Sequence, residues 1–153
     1  MSRFFIFFFS ILFACGISKS DINKIETKEI LISLERKACY GTCPIYKMII
    51  YDDGSAIYSG KRFVENIGLY KFTVTQEKIK YILAKAKEIN FFEMRDEYTE
   101  AISDLSKTIT FIKNGRNQKK VIDYYGAPKT LKDFENLVDS CIDYKKMKKI
   151  EKD

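Results

Sequence analysis

The chain has 153 residues, enough for one globular domain and hardly for two. Apolar residues make up 46% and Phe and Tyr number 12 and 10, which excludes a disordered chain; the absence of histidine excludes a Ser-His-Asp triad, a Cys-His dyad and any histidine-ligated metal site. The net charge of +6 is mild, and no interleaving of basic and aromatic residues marks a nucleic-acid platform, so no nucleic-acid partner is expected.

The chain opens MSRFFIFFFSILFACGISKSD, with Arg3 as a short positive n-region and an apolar run from Phe4 to Ala14 broken only by Ser10. A helix of that run reaches roughly 17 Å at ~1.5 Å per residue, against ~30 Å of bilayer hydrocarbon. It is too short for a permanent span and suits a signal peptide over residues 1–14. Leu12-Phe13-Ala14-Cys15-Gly16 resembles the bacterial lipobox, in which Leu stands three residues before a Cys and a small residue immediately precedes it. The resemblance implies that Cys15 takes the lipid and becomes the first mature residue. Plain secretion with an incidental Cys15, or a buried N-terminal strand, are the competing readings. Acyl chains anchor firmly, because each buried methylene contributes ~0.8 kcal/mol. Residues 15–28 are polar and weakly patterned and read as a lipidated tether.

Residues 29–146 read as one domain. Ile30, Ile32 and Leu34 start an alternating strand, and IYKMIIY (Ile45 to Tyr51) is a second. Asp52-Asp53-Gly54 is a hairpin turn leading to a third strand, Ser55 to Val64. Asn66-Ile67-Gly68 turns into a fourth, Leu69 to Val74. Thr75 is the expected N-cap of a helix with Ile79, Ile82, Leu83, Ala86 and Ile89 on one stripe. Residues 91–104 read as an irregular connection. Two strands follow, Lys107 to Lys113 and Lys119 to Tyr125, joined at Asn114-Gly115. Gly126-Ala127-Pro128 precedes a last helix, Thr130 to Lys146, with Leu131, Phe134, Leu137, Val138, Cys141 and Ile142 on its apolar face. The expected fold is α+β: an antiparallel sheet in the order β-β-β-β-α-β-β-α, with both helices packed on one face. Residues 147–153 end a lysine-rich segment, KKMKKIEKD, expected to fray or to meet anionic lipid or polyanion.

The sharpest local feature is Cys39-Tyr40-Gly41-Thr42-Cys43-Pro44 between the first two strands. In an exported protein two cysteines so close are expected to form a disulfide that staples the loop. A binding loop built on that staple, a redox switch with Arg36 and Lys37 supplying positive charge, and a metal site are the alternatives. The C-x3-C spacing is not that of thioredoxin-like motifs, and Cys141 is the one further soft ligand after Cys15. Cys141 reads as a buried free thiol, or else as a partner for Cys39 or Cys43. Asp96, Glu97, Glu100 and Asp104 could serve a carboxylate hydrolase or bind Ca²⁺, but read more simply as solvated loop charges. Asp123-Tyr124-Tyr125-Gly126 ends a strand beside a helix start, where a site or exposed edge packing are both expected.

Together Arg36 with CYGTCPIY, YDDGSAIYSG (Tyr51 to Gly60), DEYTEAISDLSKT (Asp96 to Thr108) and VIDYYGAPKTL (Val121 to Leu131) resemble a bacterial family known as domain of unknown function number 6438. Where family members tend to read TDLPT, this chain reads Ser103-Asp104-Leu105-Ser106-Lys107. The resemblance implies an exported, often lipid-anchored domain and no particular reaction. The sequence therefore leads to a bacterial lipoprotein of the cell envelope, joined to a membrane through its N-terminal lipid. Its domain is expected to bind an envelope protein or a glycan rather than to catalyse. No cofactor, metal or catalytic set is expected. Arg36, Tyr40, Tyr46, Asp104, Asp123 and Tyr124 are the candidate binding residues. A thiol/disulfide redox protein using Cys39 and Cys43 and a carboxylate-based hydrolase are the alternatives.

Overall fold

The computed structural model describes residues 27–100 and 104–151. It is an α+β domain built on one eight-stranded sheet. The strands are β1 (Ile30–Arg36), β2 (Ile45–Tyr51), β3 (Ser55–Arg62), β4 (Gly68–Thr73), β5 (Glu97–Tyr98), β6 (Thr108–Asn114), β7 (Asn117–Asp123) and β8 (Lys148–Lys149). Across the sheet they run β5-β7-β6-β1-β2-β3-β4-β8, antiparallel except for the β5–β7 pair. Helix α1 spans Gln76–Glu88 and helix α2 spans Lys129–Asp139.

Alternation sets one face. Ile32 and Leu34 of β1, Met48 and Ile50 of β2, Ala56 and Tyr58 of β3, Ile112 of β6 and Val121 of β7 are all buried. They meet Ile79, Ile82 and Ala86 of α1 and Leu131, Phe134 and Val138 of α2 in one core. Each such aliphatic side chain contributes ~1.5–3 kcal/mol on burial, so this face orders the domain. The opposite face carries Leu31, Ser33, Glu35, Lys47, Ile49, Ile57, Lys71 and Phe111, none of them buried. Thr75 caps α1, its Oγ1 accepting from the Lys78 amide at 3.3 Å. Gly54 makes the β2–β3 turn at φ +83°, and a Cβ there would lie 2.7 Å from the Val74 carbonyl oxygen, so glycine is required twice over.

The expected element order is corrected at three places. The connection after α1 contains a 3-10 turn, Phe91–Glu93, and the short strand β5, which pairs with the end of β7. Lys148 and Lys149, expected in a fraying tail, pair with Lys71 and Tyr70 of β4 as edge strand β8. α2 ends at Asp139, where the Ser140 hydroxyl bonds the Leu137 carbonyl, rather than at Lys146. Cys141 and Ile142 stay buried in the turn that follows, so their apolar spacing mimicked helix. The sheet is thus not covered by two helices alone: Phe91, Cys141 and Ile142 belong to the same core, and Tyr144 packs edge-on against Tyr58 with ring centroids 5.9 Å apart.

Candidate functional site

Register brings four connections to one end of the sheet. Arg36 pairs with Tyr46 and with Thr108, Thr108 with Asp123, Tyr46 with Gly60, and Gly60 with Gly68. The β1–β2 loop (37–44), the β3–β4 hairpin tip (63–67), the segment 104–107 and the turn after β7 (124–128) therefore lie side by side. The chain enters the sheet at the other end, at Ile30.

The β1–β2 loop holds the Cys39–Cys43 disulfide, with Cα atoms 5.8 Å apart. The Gly41 amide donates to Cys39 Sγ at 3.2 Å and folds the tip over the bridge. Tyr40 projects from it and is 90% exposed. The loop is tied to its neighbour: the Lys37 amide donates to the Lys107 carbonyl at 2.8 Å, and the Ser106 hydroxyl donates to the Lys37 carbonyl. Asp104 begins that neighbouring segment at φ 90°, a left-handed conformation that Asp tolerates better than most residues. Lys107 Nζ stands 5.0 Å above the Tyr124 ring, and Tyr124 and Tyr125 amides both donate to the Tyr98 carbonyl. Of the acidic cluster, Asp96 pairs with Lys119 at 2.5 Å and Glu97 with Lys107 at 3.8 Å, all at the surface.

Beneath the loop, Arg36 is a hub. Its Nε donates to Tyr46 Oη and to Asp139 Oδ2, both at 3.0 Å, and its Nη2 donates to Asp139 Oδ2 at 2.7 Å. Nη1 reaches Thr108 Oγ1 at 3.2 Å and Nη2 reaches Asn136 Oδ1 at 3.4 Å. The Tyr46 hydroxyl donates to Asp139 Oδ1. Burial first, and then the hydrogen bond and charge of Asp139, push the Tyr46 phenol well above its usual range, so it stays a proton donor. Arg36 is committed to its partners and joins β1, β2, β6 and α2. It acts as a clamp behind the loop rather than as a free anion receptor.

A second polar group lies under α2. Asp123 and Glu135 are both buried, and Asp123 Oδ1 has no hydrogen-bond partner among the described residues. Lys132 Nζ is 3.8 Å from Asp123 Oδ2, and Thr110 Oγ1 is 3.4 Å from Glu135 Oε1. Burial, and next the charge of Asp123, raise the Glu135 carboxyl to about 7. Burial likewise raises the Cys141 thiol to about 11, leaving it unreactive.

A sequence model described as a domain of unknown function (DUF6438) matches residues 30–142. The chain belongs to that family. The match covers both helices and every strand but β8, and it contains the disulfide loop, the Arg36 clamp and the Asp123 turn. No curated protein matches the chain.

Of the residues singled out in sequence, Arg36 and Tyr46 touch each other, Tyr40 is exposed in the loop between their strands, and Asp104, Asp123 and Tyr124 lie at the same end of the sheet, Asp123 closing β7. Cys15 and the signal peptide lie outside the described residues, as does most of the tether. Sequence reasoning missed Asp139 and Asn136, which complete the clamp from α2. It also missed Glu135, although a carboxylate at a position spaced with Leu131, Val138 and Ile142 was legible as a buried charge. Phe63 and Ile67, 44% and 58% exposed at the hairpin tip, were missed too. Their signal was two large apolar residues inside a turn. That tip folds back over Gly60, where a Cβ would fall 2.0 Å from the Asn66 carbonyl oxygen.

Proposed function

We propose that this chain is an exported bacterial lipoprotein, held in the cell envelope through Cys15, whose domain is a binding module rather than an enzyme. The supporting observation is a row of exposed apolar side chains at one end of the sheet: Tyr125, Leu105, Tyr40, Phe63 and Ile67. Their connections span β7 to β4, and five strand spacings of ~4.8 Å make roughly 24 Å. Isolated exposed apolar residues need no explanation, but five of them on connections gathered at one end of a sheet point to an interaction surface. The disulfide and the Arg36 clamp hold the middle of that row, which lowers the ordering cost of binding. The chain enters at the opposite end, so an N-terminal anchor leaves the row facing away from the membrane.

A row of this length fits a macromolecular envelope partner, protein or glycan, and Phe63, Ile67 and Leu105 favour protein. Photo-cross-linkers at positions 40, 105 and 125 in living cells test the reading. It predicts one shared adduct from all three positions and none from position 81, an exposed tyrosine on α1. Absence of an adduct from the row, or an equal one from position 81, overturns it.

A further inference from the structure

A groove of about 560 Å³ lies at the other end of the molecule, where the chain enters the sheet. Its rim carries Lys28, Lys71, Lys146 and Lys148, and Tyr51 and Ile57 form part of an apolar floor. No carboxylate lines it among the described residues. Lys28 is held by Asp53 at 2.6 Å and Lys146 by Asp143 at 3.1 Å. Lys71 and Lys148 have no acidic partner among the described residues, yet they stand directly opposite each other across the β4–β8 ladder. Like charges in that position repel. An anion between them removes the repulsion, so the arrangement is complementary to a negative ligand.

Position selects the source of that anion. Lys28 immediately precedes the domain, and Tyr51 is the strand partner of Ile30. Twelve residues, 16 to 27, can span at most ~40 Å. A domain anchored at Cys15 therefore has its entry end, and this groove beside it, held within that distance of the bilayer. An apolar floor under a lysine rim suits the headgroup region, where each lysine near an anionic surface adds ~1 kcal/mol.

We propose that this groove seats the domain on anionic bilayer headgroups, with Lys71 and Lys148 contacting lipid phosphates. Docking there fixes the orientation and turns the exposed row at the far end outward. The inference rests on the envelope reading, but its test does not use the anchor. The chain from residue 16 to 153 keeps every core residue, from Ile32 to Ile142. Its sedimentation with phosphatidylglycerol vesicles is compared with that on phosphatidylcholine vesicles.

Binding is expected on the anionic vesicles alone. K71Q/K148Q is expected to weaken it on the order of thirtyfold, as two lysines at ~1 kcal/mol each require. K80Q/K87Q on α1 has the same net charge and should bind within about threefold of the parent. Thermal melts check the fold, and K71Q/K148Q should melt no lower than the parent because it relieves repulsion. No binding to anionic vesicles, equal binding to neutral ones, or equal loss in the two double variants overturns the proposal. So does full competition by soluble glycerol phosphate, which would indicate a small-molecule site. Failure here leaves Cys15 acylation untouched, which is read separately by mass.

Discussion

Replacing Glu135 by glutamine tests the buried carboxyl pair. Glu135 is 3% exposed, and burial together with Asp123 raises its carboxyl from 4.5 to about 7. A raised carboxyl binds its proton more tightly in the folded state, so its contribution is fully present below pH 4.5 and is lost as pH rises through about 7. At ~1.36 kcal/mol per pH unit the span from 4.5 to about 7 corresponds to about 3 kcal/mol. The chain has no histidine, so no side chain of that type titrates inside the window. The carboxyls lowered by ion pairs or hydrogen bonds, Asp53, Glu77, Asp96 and Asp143, titrate beneath it. Urea unfolding followed by far-ultraviolet circular dichroism at half-unit steps from pH 4.5 to 8 gives the curve. The native chain should lose stability steadily toward pH 7, whereas Glu135→Gln should be flatter and more stable by up to about 3 kcal/mol at pH 8. A native curve level across the window, or a variant less stable than the native chain at pH 8, refutes the reasoning.

Other outcomes follow from the same contacts. Asp139→Ala strips the clamp of its carboxylate and leaves Arg36 half-buried without its counter-charge. With side chains still 24% exposed, the cost should be about 2 kcal/mol, less than for a fully buried pair. A cycle with Tyr46→Phe should show the two changes to be non-additive. Cys39→Ser with Cys43→Ser removes a bridge across a sequence separation of 4 and should cost about 2 kcal/mol in chemical unfolding. Alkylation and mass spectrometry of the native protein should find Cys39 and Cys43 oxidised. Cys141 should react only after unfolding, because it is buried with its thiol raised to about 11. Gly60→Ala drives a Cβ into the Asn66 carbonyl and should lower the melting temperature by more than 5 °C, reading the β3–β4 hairpin directly.

The hairpins were legible because their turns are chemical: Asp52-Asp53-Gly54 and Asn114-Gly115 each place a glycine where positive φ is needed. α1 was legible from its cap and stripe. β5 and β8 were not, since two residues carry no periodicity and their pairing is decided by β7 and β4. The C-terminal limit of α2 was misplaced because Cys141 and Ile142 continue its apolar spacing from a turn. The Cys39–Cys43 bridge was readable from its short spacing. The clamp was not: Arg36 and Asp139 lie 103 positions apart, and no local pattern marks one as the other's partner. What joins them is the β1–β6 pairing together with α2 crossing behind it.

We propose above that this domain works outside the cytosol on a lipid anchor at Cys15. Intact-mass analysis of the protein extracted from its native membrane tests it most directly. The account predicts a chain that begins at Cys15, carries a thioether-linked diacylglycerol, and is replaced by unprocessed precursor in Cys15→Ala. A cytosolic species that retains residues 1–14, with Cys39 and Cys43 reduced, would contradict it.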